Sequence, residues 1–571
     1  MRAGLARAGS SIEGRMLSPA ALSPRAQGWL RHLWRKATTQ DDWSREGKPH
    51  PWWDSYSIPP MLNYARFDLS ESSYGLLLMA RKTPAWREVY TRILDEMIRR
   101  HTTYWAAVDW LTQIGPDPDR ARYPKAYRRL IPKHLWGNYD VPGWTANGVE
   151  PWGLSPDPIG SKGNLFFRGF FNLMLAIHRD VAGTDTWDKP FEVTGLDDRT
   201  FSWSHGQINR FLSDQWADVW HGPHCENTKV WPFCLSAAGL GLQLSDKTLG
   251  TEGHWVVGRW IEDFLTRKCM GFDPRGNLKW VGLYYDPLID HVHGRNAVAG
   301  LFPALYLLPQ NRGLAEDLYR KAVASVGWDK WWLPTLTPRS MPRGATIGLL
   351  LAREFGDDTT ARRLGRALEK QSNGRFFDSV GDGEPEEFGY YFGFGERYPR
   401  GQESALYMLA DVMEPGDWHA AFNEIDADRH SAPTVEGIDF PSLGVRRAQN
   451  DPRDGVLTVE TYAATRSTSG TPTRWRVANL PDAQSVAVEL DGHDFGGWRT
   501  LDASTIEISC SIASQTFRLR TGWKGAERTR ELTSDAKPRP RRRRVAPVNP
   551  LEIVDARRAV AAGASGCPCC A

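Results

Sequence analysis

The stretch WHGPHCENTKVWPFCLSAAGLGLQL, Trp220–Leu244, decides how this chain is read. Cys225 and Cys234 stand nine residues apart. On one continuous helix that spacing is about two and a half turns and puts the two side chains on opposite faces. Pro232 argues for a different arrangement, because proline favours the first position of a helix. A helix starting there carries Cys234 in its first turn and leaves Cys225 in the preceding loop, able to fold back towards it. A helix N-terminus favours a thiolate and an apolar wall disfavours it. Two thiols in different surroundings can therefore divide into a proton donor and a proton acceptor. The same residues also allow blander readings. Cysteine is commonly a small core residue, the pair can be a disulfide in an oxidising compartment, and His221, His224, Cys225 and Cys234 offer zinc ligands at a spacing unlike the usual zinc patterns.

Outward from this stretch, Ala26 to Phe422 reads as helical. Apolar residues recur at helical spacing in Trp86–Arg100, Phe166–Val181, Gln207–Trp220, Trp255–Lys268, Leu314–Val326 and Thr346–Phe355. Long Gly-, Pro- and Trp-containing connections such as Trp136–Lys162 separate them, and long connections in compact helical proteins often carry function. From Gly455 the pattern changes to alternating, β-branched segments: GVLTVETYAATRS, TRWRVANL, SVAVELDG and STIEISCSIASQTFRLRTG. The expected organisation is a disordered leader over residues 1–25, a helical domain over 26–430, a β-sandwich-like module over 434–523 and a disordered tail over 531–571. The tail contains KPRPRRRR and ends in AAGASGCPCCA. Such a charge run is most often solvated, and Pro568 excludes a prenylation box.

Composition narrows the function classes. Of 571 residues, 24% are charged and the net charge is +3, which gives no reason to expect nucleic acid as a partner. Seven cysteines are too few and too scattered for a disulfide scaffold. No apolar run is long enough to span a membrane. The first residues are rich in arginine and lack the apolar centre of a secretory signal. They are compatible with a transit peptide, and a cytoplasmic location is expected. The 26 tryptophans concentrate between His50 and Trp260. Most such rings only pack; a subset can line a pocket for a flat, apolar or cationic species.

Four ordered pieces give a resemblance to the linalool dehydratase/isomerase family: SYGLLL (Ser73–Leu78), FFRGFFNLM (Phe166–Met174), CENTKVWPFC (Cys225–Cys234) and GLLLAREFGD (Gly348–Asp357), with LWGNYD (Leu135–Asp140) adding weaker support. In the third piece both cysteines and Glu226 match the family pattern at the same spacing. The resemblance implies an (α/α)6 toroid followed by the β module, an active site at one mouth of the toroid, and acid–base chemistry without cofactor or metal on a small apolar isoprenoid alcohol. It implies that Cys225 and Cys234 handle protons or form a transient thioether. It also leaves a homo-oligomer open, since toroids of this type can assemble into rings. The chain departs from the family at Phe170, where the motif has a histidine, and at Phe67 and near Asn296, where it has tyrosines. Fewer groups remain to handle water, and the expected pocket is more aromatic, lined by Phe67, Phe166, Phe170, Trp231 and Phe233, with Glu226 and Asn296 as polar contacts. Aromatic faces stabilise a carbocation without trapping it. This favours dehydration, isomerisation or cyclisation of a terpenoid.

A competing reading rests on EPEEFGYYFGFGERYPRGQES, Glu384–Ser404, with Glu386, Glu387, Glu396 and Glu403. Paired carboxylates can cleave a glycoside, and helical toroids followed by β modules also occur in polysaccharide lyases and glycosidases. A third reading is a non-catalytic binder of an apolar ligand, since a fold does not establish an activity.

Overall fold

The computed structural model describes residues 21–44, 46–47, 49–50, 52–53, 65–104, 106, 149–150, 153–154, 157–161, 163–195, 199–225, 229–287, 290–330, 341–372, 374–380, 384–390, 401–426 and 428–525. The leader over 1–20, LWGNYD, Glu226, Glu396 and the tail from 526 onward lie outside the described residues.

Over the described residues the chain is mainly helical, with antiparallel sheets at its C-terminal end. Helix α1 (Pro24–Thr38) starts just inside the expected leader, where the Ser23 hydroxyl accepts the Ala26 amide and proline stands in the first turn. It is followed by α2 (Ala65–Lys82), α3 (Glu88–His101), α4 (Leu165–Ala182), α5 (His205–Asp218), α6 (Pro232–Leu249) and α7 (Trp255–Trp260). Then come α8 (Leu301–Leu307), α9 (Arg312–Val326), α10 (Pro342–Glu354), α11 (Asp358–Ser372), α12 (Gly401–Val412) and α13 (Asp417–Asn423).

The segment read as one helix over Trp255–Lys268 is three: α7, a π-helical turn at Ile261–Leu265 and a short closing helix at Thr266–Lys268. Ten short strands form hairpins within the helical part. These are β1 (Val149–Glu150) with β2 (Gly153–Leu154), β3 (Phe191–Thr194) with β4 (Thr200–Trp203), β5 (Met270–Phe272) with β6 (Leu278–Val281), β7 (Tyr284–Asp286) with β8 (His291–His293), and β9 (Gly374–Val380) with β10 (Glu384–Tyr390).

Six helices contact one another in closed cyclic order: α2, α4, α6, α8, α10, α12 and back to α2. Their sequences account for the inside position. A helix that is apolar all round must be buried, and in α4 every residue from Leu165 to His178 is buried. The buried run Gly344–Ala352 of α10 and the run Ser404–Ala410 of α12 behave the same way. By contrast α3 has one buried stripe and a charged outer face, and it packs outside the ring against α2 and α4. The ring is tight: a Cβ on Gly401, the first residue of α12, would lie 2.1 Å from the Asp68 carboxyl carbon on α2, so only glycine fits there.

Behind the helices, β11 (Thr434–Glu436), β14 (Pro472–Ala478), β18 (Thr505–Ser511) and β17 (Trp498–Asp502) form one sheet in that order. A second contains β12 (Leu443–Asp451), β13 (Val456–Ala463), β19 (Thr516–Arg520), β15 (Ala487–Leu490) and β16 (His493–Asp494). Alternating burial along β13 and β19 puts Leu457, Val459, Phe517 and Leu519 inside. The rings of Trp475 and Phe517, one from each sheet, meet at 5.1 Å. Backbone bonds from Ala85 to Ala448 (3.1 Å) and from Val435 to Ala85 (2.7 Å) fasten this module to the turn between α2 and α3.

Candidate active site at the ring mouth

The two cysteines stand at the start of α6. Pro232 opens the helix, Phe233 and Cys234 follow in its first turn, and Cys225 lies in the loop before it. Both cysteines are buried. The Cys225 amide donates to the Lys229 carbonyl at 2.8 Å, and the Leu165 amide donates to the His224 carbonyl at 3.1 Å. The second bond ties the residue before Cys225 to the first residue of α4. Val230 and Tyr285 exchange backbone bonds of 2.9 and 2.8 Å, which fixes the far end of the loop to β7. Lys229 and Asp286 form a buried ion pair at 3.0 Å directly beside this bridge.

The inner helices present their first turns at the same place. Phe67 on α2 meets Phe166 on α4 with centroids 5.0 Å apart, Phe170 at 5.2 Å and Phe233 on α6 at 6.2 Å. Phe170 and Phe233 are 5.4 Å apart, and Phe233 reaches Phe302 on α8 at 6.0 Å. The edge-on pairs among these, Phe67–Phe166, Phe67–Phe170 and Phe233–Phe302, each contribute about 0.5–1.5 kcal/mol beyond simple burial. Phe67, Phe166, Phe170 and Phe233 thus come together next to the segment that carries both cysteines. Trp231, the residue before α6, packs on Tyr284 at 4.8 Å, with Tyr284 stacked on His293 at 4.5 Å. Asn296 is exposed; its side-chain oxygen accepts the Ala299 amide at 2.7 Å, just before a short 3-10 turn. Glu386 and Glu387 lie on β10.

A polar group that the sequence reading passed over lies with and below the rings. Arg343, in the first turn of α10, makes a bidentate contact with Glu71 on α2, one bond being 3.0 Å. The Tyr306 hydroxyl on α8 donates to Glu71 at 3.2 Å, and the Tyr74 hydroxyl donates to that of Tyr306 at 3.3 Å. Burial pushes the Glu71 carboxyl up, while the guanidinium against both of its oxygens opposes that shift. Burial works against the Arg343 charge too, but Glu71 more than restores it, so Arg343 stays cationic. Burial raises both tyrosines, which remain protonated donors. The Arg343 guanidinium lies 5.3 Å from the Phe67 ring centroid and 5.7 Å from that of Phe233. One sequence signal pointed here: the carboxylates Asp68 and Glu71 stand three residues apart on one helix, just before SYGLLL.

On the other side of the cysteine loop, His221 and His224 stack at 5.2 Å. Burial drives the His221 imidazole down to about 4 and His224 well below its ordinary value, so both are neutral at pH 7. Among the described residues, no three His, Cys, Asp or Glu side chains gather closely enough to hold a metal ion, and no helix is long and apolar enough to cross a membrane.

Residues 128–379 match the family model for linalool dehydratase/isomerase. That is less than half of the chain, but it covers α4, α6, α8 and α10 of the ring and the whole cysteine stretch. No curated protein sequence matches. Among solved structures, an endoglucanase CelQ from Clostridium thermocellum in complex with cellotriose is 11% identical, with 87% of this chain and 92% of that chain covered and a TM-score of 0.33. A GH127 β-L-arabinofuranosidase from Geobacillus stearothermophilus T6 is 9% identical, with 88% and 76% covered and a TM-score of 0.25. Superpositions this loose carry no argument about function. The match that bears on function is the one to the family model. Residues 128–379 of the chain thus carry a linalool dehydratase/isomerase domain.

Proposed function

We propose that this enzyme dehydrates or isomerises an isoprenoid alcohol through a carbocation-like state at the mouth of an (α/α)6 toroid, with Cys225 and Cys234 exchanging the protons. In dehydration, the protonated hydroxyl leaves as water with the C–O electron pair. The cation then loses a proton from an adjacent carbon and gives an alkene. Isomerisation returns water to another carbon of the same allylic cation, and cyclisation closes a ring on it instead. The observation that carries this reading is the meeting of Phe67, Phe166 and Phe233, in the first turns of helices that contact in a closed ring, with Phe170 one turn further along α4, beside the cysteine segment. Ring faces stabilise positive charge without forming a bond to it, and buried aromatic walls keep bulk water from quenching it.

The test is product analysis. Purified protein is incubated with linalool, geraniol and longer isoprenoid alcohols, and the products are separated by gas chromatography. Wild type is expected to form alkenes or rearranged alcohols, and Cys225→Ala and Cys234→Ala are expected to lose that turnover. Identical product profiles for wild type and Cys225→Ala would end the proposal.

A further inference from the structure

The aromatic cluster is not electrically uniform. Arg343 sets a cation over Phe67 and Phe233, at 5.3 and 5.7 Å. The described ring neighbours of Phe170 are aromatic: Phe67, Phe233 and Tyr306. The ion pair with Glu71 anchors the guanidinium and leaves a dipole whose negative end is fully buried one helical turn deeper on α2, with the Glu403 carboxylate also acting on Arg343. The Arg343 side chain keeps 17% of its surface exposed, so the positive end of the pair is the accessible one. Helix direction adds to this. Arg343, Phe67, Phe166 and Phe233 all sit in first turns, where backbone N–H groups give a positive partial charge. A developing carbocation is repelled from that side, whereas an oxygen lone pair is attracted to it.

We infer that Arg343 is the specificity-determining residue that orients the substrate, holding the alcohol oxygen at its own side and leaving the hydrocarbon skeleton against Phe170, one turn further along α4. This rests on the isoprenoid-alcohol reading above and adds the direction in which the substrate lies. Glu71 and Tyr306 are positioning residues: they fix the guanidinium, and the Tyr74 hydroxyl continues the same chain of bonds.

Binding separates this role from a merely structural one. The two probes are linalool and the hydrocarbon of the same skeleton that lacks only the hydroxyl, each titrated against intrinsic tryptophan fluorescence. Wild type is expected to bind the alcohol more tightly. Arg343→Met should weaken the alcohol by about tenfold, the usual size of a lost charge-assisted hydrogen bond, and leave the hydrocarbon unchanged. Arg343→Lys should restore part of the difference. Since Arg343→Met strands the Glu71 carboxylate, the double variant Arg343→Met/Glu71→Gln is measured alongside and should show the same selective loss. Equal weakening of both probes, in the single and the double variant, overturns the inference and leaves Arg343 structural. A wild type that binds neither probe overturns the isoprenoid reading itself.

Discussion

Lys229→Met tests whether the cysteine loop is held as the structure indicates. The Lys229 ammonium is 3.0 Å from the Asp286 carboxylate, with side-chain exposures of 4% and 0%. Removing the lysine leaves a carboxylate in a site that excludes water. Losing one partner of a buried pair costs about 3–5 kcal/mol, even though the intact pair itself contributes little. Over a chain of this length the unfolding entropy is about 1 kcal/mol per degree, so the loss corresponds to a fall in Tm of roughly 3–5 °C. The consequence is also local. The Lys229 carbonyl accepts the Cys225 amide, and Asp286 follows the Tyr285 that pairs with Val230. Disturbing the pair therefore shifts Cys225 and lowers kcat. Asp286→Asn strands the ammonium instead and should cost a similar amount. Combined with Lys229→Met, it removes both charges and should recover at least about 2 kcal/mol relative to the summed single effects, a coupling typical of direct contact. Thermal unfolding of all four proteins, with two-state behaviour checked, measures this cycle. Single losses below about 1 kcal/mol, or strict additivity, would refute the reasoning.

Acid should destabilise the protein in a defined window. His221 is held down to about 4 by burial, against about 6.5 in the unfolded chain. The unfolded state therefore takes up the proton first, and stability present above pH 6.5 is lost as pH falls towards 4, by at most about 1.4 kcal/mol per pH unit for this group. His224, lowered by burial as well, steepens the fall; a Tm that stays flat from pH 6.5 to 5 contradicts this. Phe170→Ala removes a buried ring from among Phe67, Phe233 and Tyr306. It should cost about 3–5 kcal/mol in denaturant unfolding and broaden the product mixture. Tyr306→Phe deletes one donor to Glu71 and one acceptor for Tyr74. A loss of about 1–3 kcal/mol is expected in the same assay.

How far the sequence could be read follows from the range of each interaction. The helix start at Pro232, and with it the first-turn position of Cys234, is a local effect of a residue that lacks an amide proton, and so it is legible. The strand pattern from Gly455 onward is equally local, because alternation has a period of two; β11 and β12, which precede it, were not read as strands. The strands β5 to β8 went unread: three or four residues are too few to show alternation against their surroundings. The π turn at Ile261–Leu265 keeps nearly helical spacing, and only the backbone reveals it. The Glu71–Arg343 pair joins residues 272 apart, and no local pattern announces a partner at that distance. Asn296 was expected in the pocket because a family tyrosine falls near it, and Trp231 because it lies inside the motif that carries both cysteines. Backbone geometry leaves Asn296 exposed, with its side-chain oxygen on the Ala299 amide, and seats Trp231 on Tyr284.

The departures from the family pattern and the buried charges bear on a single problem. A pocket that ionises an alcohol must attract an oxygen at one end and tolerate a cation at the other. Helix N-termini and Arg343 supply positive potential at the first turns. Half a unit charge about 5 Å away, at an effective dielectric of ~20, acts on a unit charge with about 1.7 kcal/mol. That favours an oxygen lone pair there and opposes a carbocation by a similar amount. A histidine at position 170 would bring a second ionisable group to the cation's end, where in its charged form it would add to the repulsion. Phe170 removes that conflict and leaves a ring face. Replacing water-handling groups with rings therefore fits a chemistry in which the cation survives long enough to rearrange, and it separates the work spatially: oxygen recognition at Arg343, charge stabilisation at the phenylalanines.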